Sequence, residues 1–174
     1  MKYLGLFLDS NLKWLAHISY LNKRLRKTIF LIRELSSMLP RRSVMQIYYS
    51  LCQSLLLYGN LGWGGASKTA LDPLNKTQKL ILKIIFRWPR LYPTNQLYSE
   101  TGVLTARQLY IQTAVVHFRK HFRQESVRQH HEHSTRHRSE PVLPRMNTRF
   151  GQRHYYYLGP KLFTQRNKIF SSSF

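Results

Sequence analysis

A single cysteine in 174 residues excludes an intrachain disulfide framework, and Cys52, set among apolar neighbours, reads as a small buried thiol. That usage is compatible with a reducing compartment and demonstrates none, so localisation stays open. Acidic residues are scarce: seven Asp and Glu stand against 28 Lys and Arg, a formal charge of +21. A compact chain tolerates such self-repulsion best when a polyanion neutralises it, which makes nucleic acid the expected partner. Long hydrophobic runs are missing as well. The apolar stretch at residues 3–8 is cut short by Asp9, too early for a secretory signal. No segment approaches the roughly 18 uninterrupted apolar residues of a spanning helix, so no membrane partner is expected.

Catalytic signatures are equally thin. No G-x-S-x-G, P-loop or dinucleotide fingerprint occurs, and no H-E-x-x-H, so neither a small-molecule substrate nor a hydrolytic centre is expected. Asp9 and Asp72 are the only aspartates. Asp9 is expected to close a turn, and His17 to pack or cap at the start of the first helix. His117 and His121, one helical turn apart, and His130, His131, His133 and His137 beyond them have spacings at which imidazoles can converge on a metal. With no cysteine near, they read instead as a solvated helix face and a polar tail.

Hydrophobic content of 43% supports one modest core. Residues 1–14 place the turn-forming Asp9-Ser10-Asn11 between two apolar pieces and predict a strand, a tight turn and a second extended piece. A helical period follows through Ile18, Leu21, Leu25, Ile29 and Ile32, ending near Pro40. Val44, Ile47, Leu51, Leu55 and Tyr58 repeat it up to Gly59, which makes a helical hairpin. The glycine-rich segment 59–65 is expected to be non-helical, with Trp63 pinning it to the core. A third helix after Ser67 has Leu74, Thr77 or Gln78, Ile81, Leu82 and Ile85 on its apolar side. Lys76, Lys79, Lys83 and Arg87 run along another side. A fourth helix takes its core from Leu104, Leu109, Ala114, Val115 and Phe118. Beyond it, residues 129–138 have no apolar period, and Gly159-Pro160 reads as a break in a short terminal arm.

Several blocks fall in an order that resembles one family. Lys2-Tyr3-Leu4-Gly5, Asp9, Leu12, Trp14, His17 and Ile18 are followed by Leu39-Pro40-Arg41 and Tyr48-Tyr49-Ser50-Leu51. Leu56-Leu57-Tyr58-Gly59, Trp63-Gly64, and Leu74 to Lys79 with Ile81-Leu82-Lys83 come next; Phe150-Gly151 and Leu158-Gly159-Pro160-Lys161-Leu162-Phe163 close the series. This order is similar to the region downstream of the palm in LINE-type (non-LTR) retrotransposon reverse transcriptases, of the jockey-like or CR1-like branch. The family usually has Trp where Phe163 stands.

The resemblance implies a mainly α fold: a helical thumb-like bundle with a short N-terminal β-strand or hairpin segment and a flexible basic C-terminal tail. It divides into a strand segment at 1–14, a thumb-like domain at 15–125 and a basic, largely disordered His/Arg-rich tail at 126–174. It also implies that the catalytic carboxylates and their Mg belong to a palm upstream, a C-terminal fragment such as this needing no cofactor of its own. Two-metal phosphoryl transfer needs at least two carboxylates holding the ions together, and Asp9 and Asp72 are separated by helices. The expected partners are RNA, DNA or their hybrid, together with the palm and fingers of the parent polymerase. Lys2 and Tyr3 would grip the primer end, or form a plain edge strand. Lys23, Arg24 and Lys27, Arg41 and Arg42, and Lys76, Lys79 and Lys83 would hold template and primer by phosphate contacts. An inert transposon remnant and a basic RNA-binding interaction module are the alternatives.

Overall fold

A computed structural model of the chain describes residues 1–125 and 143–171. Leu4 and Gly5 both take positive φ, 43° and 80°, the backbone of a tight two-residue hairpin turn. They join β1 (Lys2–Tyr3) to β2 (Leu6–Phe7) antiparallel, with Lys2 opposite Phe7 and Tyr3 opposite Leu6. The hairpin therefore turns before the expected Asp9-Ser10-Asn11, because Gly5 accepts a left-handed φ without steric cost. The Tyr58 hydroxyl secures the strained Leu4 by donating to its carbonyl at 2.6 Å. Asp9 does close a turn, its carbonyl accepting from the Leu12 amide at 3.1 Å, but no strand follows it among the described residues.

Helix α1 (Leu15–Met38) buries His17, Ile18, Leu21, Leu25 and Ile32 along one side and stops before Pro40, as its periodicity predicts. Trp14, buried and left-handed at φ 63°, turns the chain into it. The Asp9 carboxylate accepts from the Leu15 amide at 2.9 Å, placing negative charge at the positive end of the helix. The next helix departs from the expected pattern. It runs as α2 (Arg41–Tyr48), a π-helical segment (Tyr49–Gln53) and α3 (Ser54–Leu57), and it buries Val44, Tyr48, Cys52 and Leu56. Of the expected core positions beyond Val44, Leu51 and Tyr58 are exposed, and Ile47 and Leu55 are only half-buried. A spacing of four drifts about 40° per step round an α-helix; the wider π turn absorbs that drift and keeps the four residues on one side.

The glycine-rich segment is also helical where a loop is predicted, since α4 (Asn60–Trp63) forms one turn after Gly59, left-handed at φ 60°. Trp63 does anchor it, fully buried with its indole N–H donating to the Tyr58 carbonyl at 3.0 Å. Helix α5 (Lys68–Phe86) begins after Ser67, whose hydroxyl accepts from the Ala70 amide at 3.2 Å. It buries Leu74, Thr77, Gln78, Ile81, Leu82 and Ile85, the side predicted. Its main partner is α1. Thr77 donates to Asn22 at 2.7 Å and Arg87 to the Ser36 carbonyl at 2.8 Å, so the two helices run in the same direction with their C-terminal ends side by side. Helix α6 (Thr94–Thr101) ends at left-handed Gly102 and buries Leu97.

The fold is mainly helical with a short N-terminal hairpin. Two compact units divide it, residues 1–109 and 110–174. Helix α7 (Ala106–Glu125) starts in the first, where Ala106 and Leu109 are buried. In the second, Tyr110 and Ala114 are buried, and α8 (Tyr155–Ser171) packs closely on α7. A Cβ on Gly159 would lie 2.8 Å from the Phe118 Cβ, and the Phe118 and Phe163 rings meet edge to face at 5.6 Å. Gly159-Pro160 is thus no break: the glycine permits close helix approach, and buried Pro160 is carried within α8. A 17-residue helix consequently stands inside the segment expected to be largely disordered. The expected tail residues 126–142, with His130, His131, His133 and His137, lie outside the described residues.

Candidate nucleic-acid interface

Aromatic rings carry the first group of cations. The Lys2 ammonium stands 5.7 Å from the Phe7 ring centroid, Phe7 lies 4.9 Å from Tyr20, and the Arg24 guanidinium is 5.8 Å from Tyr20. Two cations from different elements are thereby seated on one aromatic pair, each favoured by the negative face of a ring. Lys23 and Lys27 are exposed on α1, and Tyr3 is 57% exposed on β1.

A second group forms where α1, α2 and α5 meet. Pro40, extended, opens α2, and both Arg41 and Arg42 are exposed. The Arg41 guanidinium sits 4.9 Å over the Phe86 ring. Phe86 stacks on Trp88 at 4.6 Å, and Trp88 on Tyr92 at 4.3 Å and only 7° from parallel. Arg33 and Arg87, which the candidate set lacks, belong to this end of the molecule, lining the same cleft as Ser36. Their proximity comes from the parallel packing of α1 on α5, which no spacing along one helix reveals; the one available signal was the place of Arg87 in the basic stripe of α5.

The α5 lysines differ in exposure. Lys76 is exposed, whereas Lys79 and Lys83 are half-buried. The Lys83 ammonium donates to the Arg90 carbonyl and so closes the loop after the helix. Its charge remains, but part of its hydrogen-bonding capacity serves the fold.

Elsewhere the polar residues act structurally. His17 is 1% exposed among Phe7, Trp14, Tyr20 and Trp63, and its Nδ1 accepts from the Phe7 amide at 3.4 Å. Burial lowers its pKa, opposed by the nearby Asp9 carboxylate. Burial likewise pushes the Cys52 thiol up, partly offset by its 3.3 Å hydrogen bond with Thr28, which fits an inert packed thiol. The His117 and His121 rings lie 4.3 Å apart, tilted by 36°, and burial together with His121 and Lys120 lowers the His117 pKa. Among the described residues no three His, Cys, Asp or Glu side chains group as metal ligands, and no helix is long and apolar enough to cross a membrane. No family model, curated protein or solved structure matches the chain.

Proposed function

We propose that this chain holds nucleic acid by its phosphates, as the thumb-like, non-catalytic C-terminal part of an RNA-directed DNA polymerase from a LINE-type retrotransposon. The observation that carries the reading is the charge of the first unit: 16 Lys and Arg against four Asp and Glu. One of those four, Asp9, is committed to the start of α1. Exposed cations sit on the hairpin, on α1 and at the start of α2, with Lys2, Arg24 and Arg41 resting on aromatic rings and no base-reading loop evident. Such a surface attracts a polyanion irrespective of its sequence. The order of sequence blocks supplies the polymerase context. On this reading polymerisation itself is assigned elsewhere: Asp9 serves a helix terminus and Asp72 belongs to α5, and the sequence has no Asp-Asp pair of the kind that clamps two metal ions.

The test is binding of labelled RNA, DNA and hybrid duplexes by the purified chain over a series of salt concentrations. Affinity should fall steeply and similarly for unrelated sequences, with log K linear in log salt at about −0.7 to −0.9 per phosphate contact. Absent or salt-insensitive binding would sink the proposal, and a marked preference for one RNA sequence would favour an interaction module instead.

A further inference from the structure

Two open clefts adjoin at the end of the first unit where α1 and α5 finish and α2 begins. One, of about 250 Å³, is lined by Ser36, Arg41, Val44, Ile85 and Arg87 among others. Its neighbour, of about 270 Å³, shares Ser36 and Arg87 and adds Arg33, Ser37 and Ile84. No Asp or Glu lines either. Three arginines thus line the adjoining clefts, Arg87 common to both, with no carboxylate among the lining residues, and an anion seated there would offset the repulsion between their charges.

Two of these arginines are held in place before any ligand arrives. Arg87 ends α5 in a left-handed conformation, φ 54°, and spends one N–H on the Ser36 carbonyl at 2.8 Å. A guanidinium carries five donors in a rigid fork, so most of its phosphate-binding capacity is left. Arg41 is steadied against Phe86, itself stacked on Trp88 and Tyr92. Preorganised donors lose less entropy on binding than free surface side chains do.

We propose that these paired clefts form a binding site for the phosphodiester backbone of a nucleic-acid strand, with Arg33, Arg41 and Arg87 as the phosphate ligands. The inference rests on the nucleic-acid reading above and gives it a place in the fold. A backbone suits the site better than a lone phosphate. The two openings share Arg87, so they would take phosphates in succession. Their Val44, Ile84 and Ile85 walls offer apolar surface to the intervening sugars.

The experiment compares the full chain with Arg33→Gln/Arg41→Gln, which leaves the Arg87 to Ser36 bond intact, and with Arg87→Lys as a charge-preserving partner. Binding of a short labelled mixed-sequence RNA is followed by anisotropy across a salt series, with inorganic phosphate as competitor. The double variant should bind at least about tenfold more weakly, and its log K against log salt slope should fall by about 1.4, two phosphate contacts on a single strand. Arg87→Lys should lose less affinity and keep its slope. Thermal unfolding by tryptophan fluorescence should be unchanged in the double variant, separating ligand loss from misfolding. If the double variant binds RNA as well as the parent while Lys2→Gln/Arg24→Gln weakens it, the cleft assignment is wrong and the nucleic-acid reading stands. If the parent binds no RNA, both fall. Millimolar phosphate that binds at these arginines, with RNA affinity untouched by their loss, would mark a free-anion site and overturn the inference.

Discussion

Gln78 donates to the Tyr48 hydroxyl at 2.9 Å inside the core, joining α5 to α2 at the centre of the first unit. The same amide nitrogen donates to the Leu104 carbonyl at 2.8 Å, and its oxygen accepts from the Tyr98 hydroxyl at 3.3 Å. One buried side chain thus satisfies polar groups from three other segments. Burial pushes both tyrosine pKa values up, so these hydroxyls stay neutral partners through the physiological range.

Replacing Gln78 with Met, similar in shape but without the amide, should therefore be costly. It strands the Leu104 carbonyl and the two hydroxyls, and a loss of about 2 kcal/mol or more is expected, lowering Tm by about 8 °C or more. All three tryptophans, Trp14, Trp63 and Trp88, lie in the first unit, so their fluorescence during heating reports this unit alone. An unchanged melting curve would show that the node contributes nothing.

His17 makes the first unit sensitive to acid. Its folded pKa lies below 6.5 because burial disfavours the imidazolium, so the unfolded state takes up the proton more readily. The stability it contributes is complete above pH 6.5 and is lost as pH falls below that value towards the folded pKa. The decline can reach at most about 1.4 kcal/mol per pH unit for one proton. Protonation would also turn Nδ1 into a donor and break its bond from the Phe7 amide. His17→Asn offers an acceptor that does not titrate, so urea midpoints of this variant should vary less between pH 7 and pH 5 than those of the parent. Parallel slopes would remove His17 as the cause.

The contrast between α5 and the α2–α3 run shows which parts of the fold were legible. In α5, core and lysine residues fall on different sides at three- and four-residue steps, and every predicted core position is buried, with Ala70 and Leu71 added at its start. In α2–α3, two interleaved sets were available. Ile47, Leu51 and Leu55 are more apolar than Tyr48 and Cys52, yet the latter face inward because the helix widens at Tyr49–Gln53. A period assumed constant hides such a change. The hairpin turn was missed for a local reason: Asp9-Ser10-Asn11 carries stronger turn chemistry than Leu4-Gly5, and the earlier turn is favoured by Gly5 at positive φ together with the distant Tyr58 hydroxyl on the Leu4 carbonyl. Arg33 and Arg87 escaped because their proximity depends on parallel packing between helices far apart in sequence, whereas Lys2, picked by resemblance, and Arg24, picked for charge on α1, turn out to share an aromatic pair.

That shared pair gives the N-terminal cations a separable role. Lys2→Gln/Arg24→Gln removes two exposed charges while leaving the Phe7 and Tyr20 rings 4.9 Å apart. If both contact phosphates, the slope of log K against log salt should fall by about 1.4 on single strands and about 1.8 on B-form duplex. Tm should move little, since exposed cation–π contacts are worth only about 0.5–1 kcal/mol. A drop in affinity with no change in slope would point to lost structure instead of lost phosphate contacts.

Gly159 tests the second unit independently. In Gly159→Ala the added Cβ would meet the Phe118 Cβ at 2.8 Å and the Ala114 carbonyl at 3.2 Å, both too close without a shift of α8 on α7. Overpacking of this kind costs about 1–3 kcal/mol, more than the gain of up to about 1 kcal/mol from replacing glycine within a helix. Hydrogen exchange of α7 and α8 amides should accelerate, with tryptophan-detected melting of the first unit unaffected. Slower exchange in α8 would mean that the contact relaxes freely.

The π segment makes a prediction opposite to ordinary intuition about deletions. Val44, Tyr48, Cys52 and Leu56 are spaced by fours, one residue too many for an α-helix to keep on a single side over this length. Deleting exposed Leu51 shortens the step between Tyr48 and Cys52 to three. The buried set then has spacings of four, three and four, which a regular α-helix accommodates. The variant should stay folded, with Tm within a few degrees of the parent, Tyr48 still meeting Gln78 and Cys52 still meeting Thr28. Deleting exposed Phe30 from α1 provides the contrast. No wide turn exists there to absorb the change, so Ile32 and Ser36 would rotate by about 100° away from their partners. Loss of Ile32 from the core and of the Arg87 contact at Ser36 should unfold the unit or cost about 3 kcal/mol or more. Equal damage from both deletions would show that the π turn is held by its own surroundings and is not the accommodation of one surplus residue.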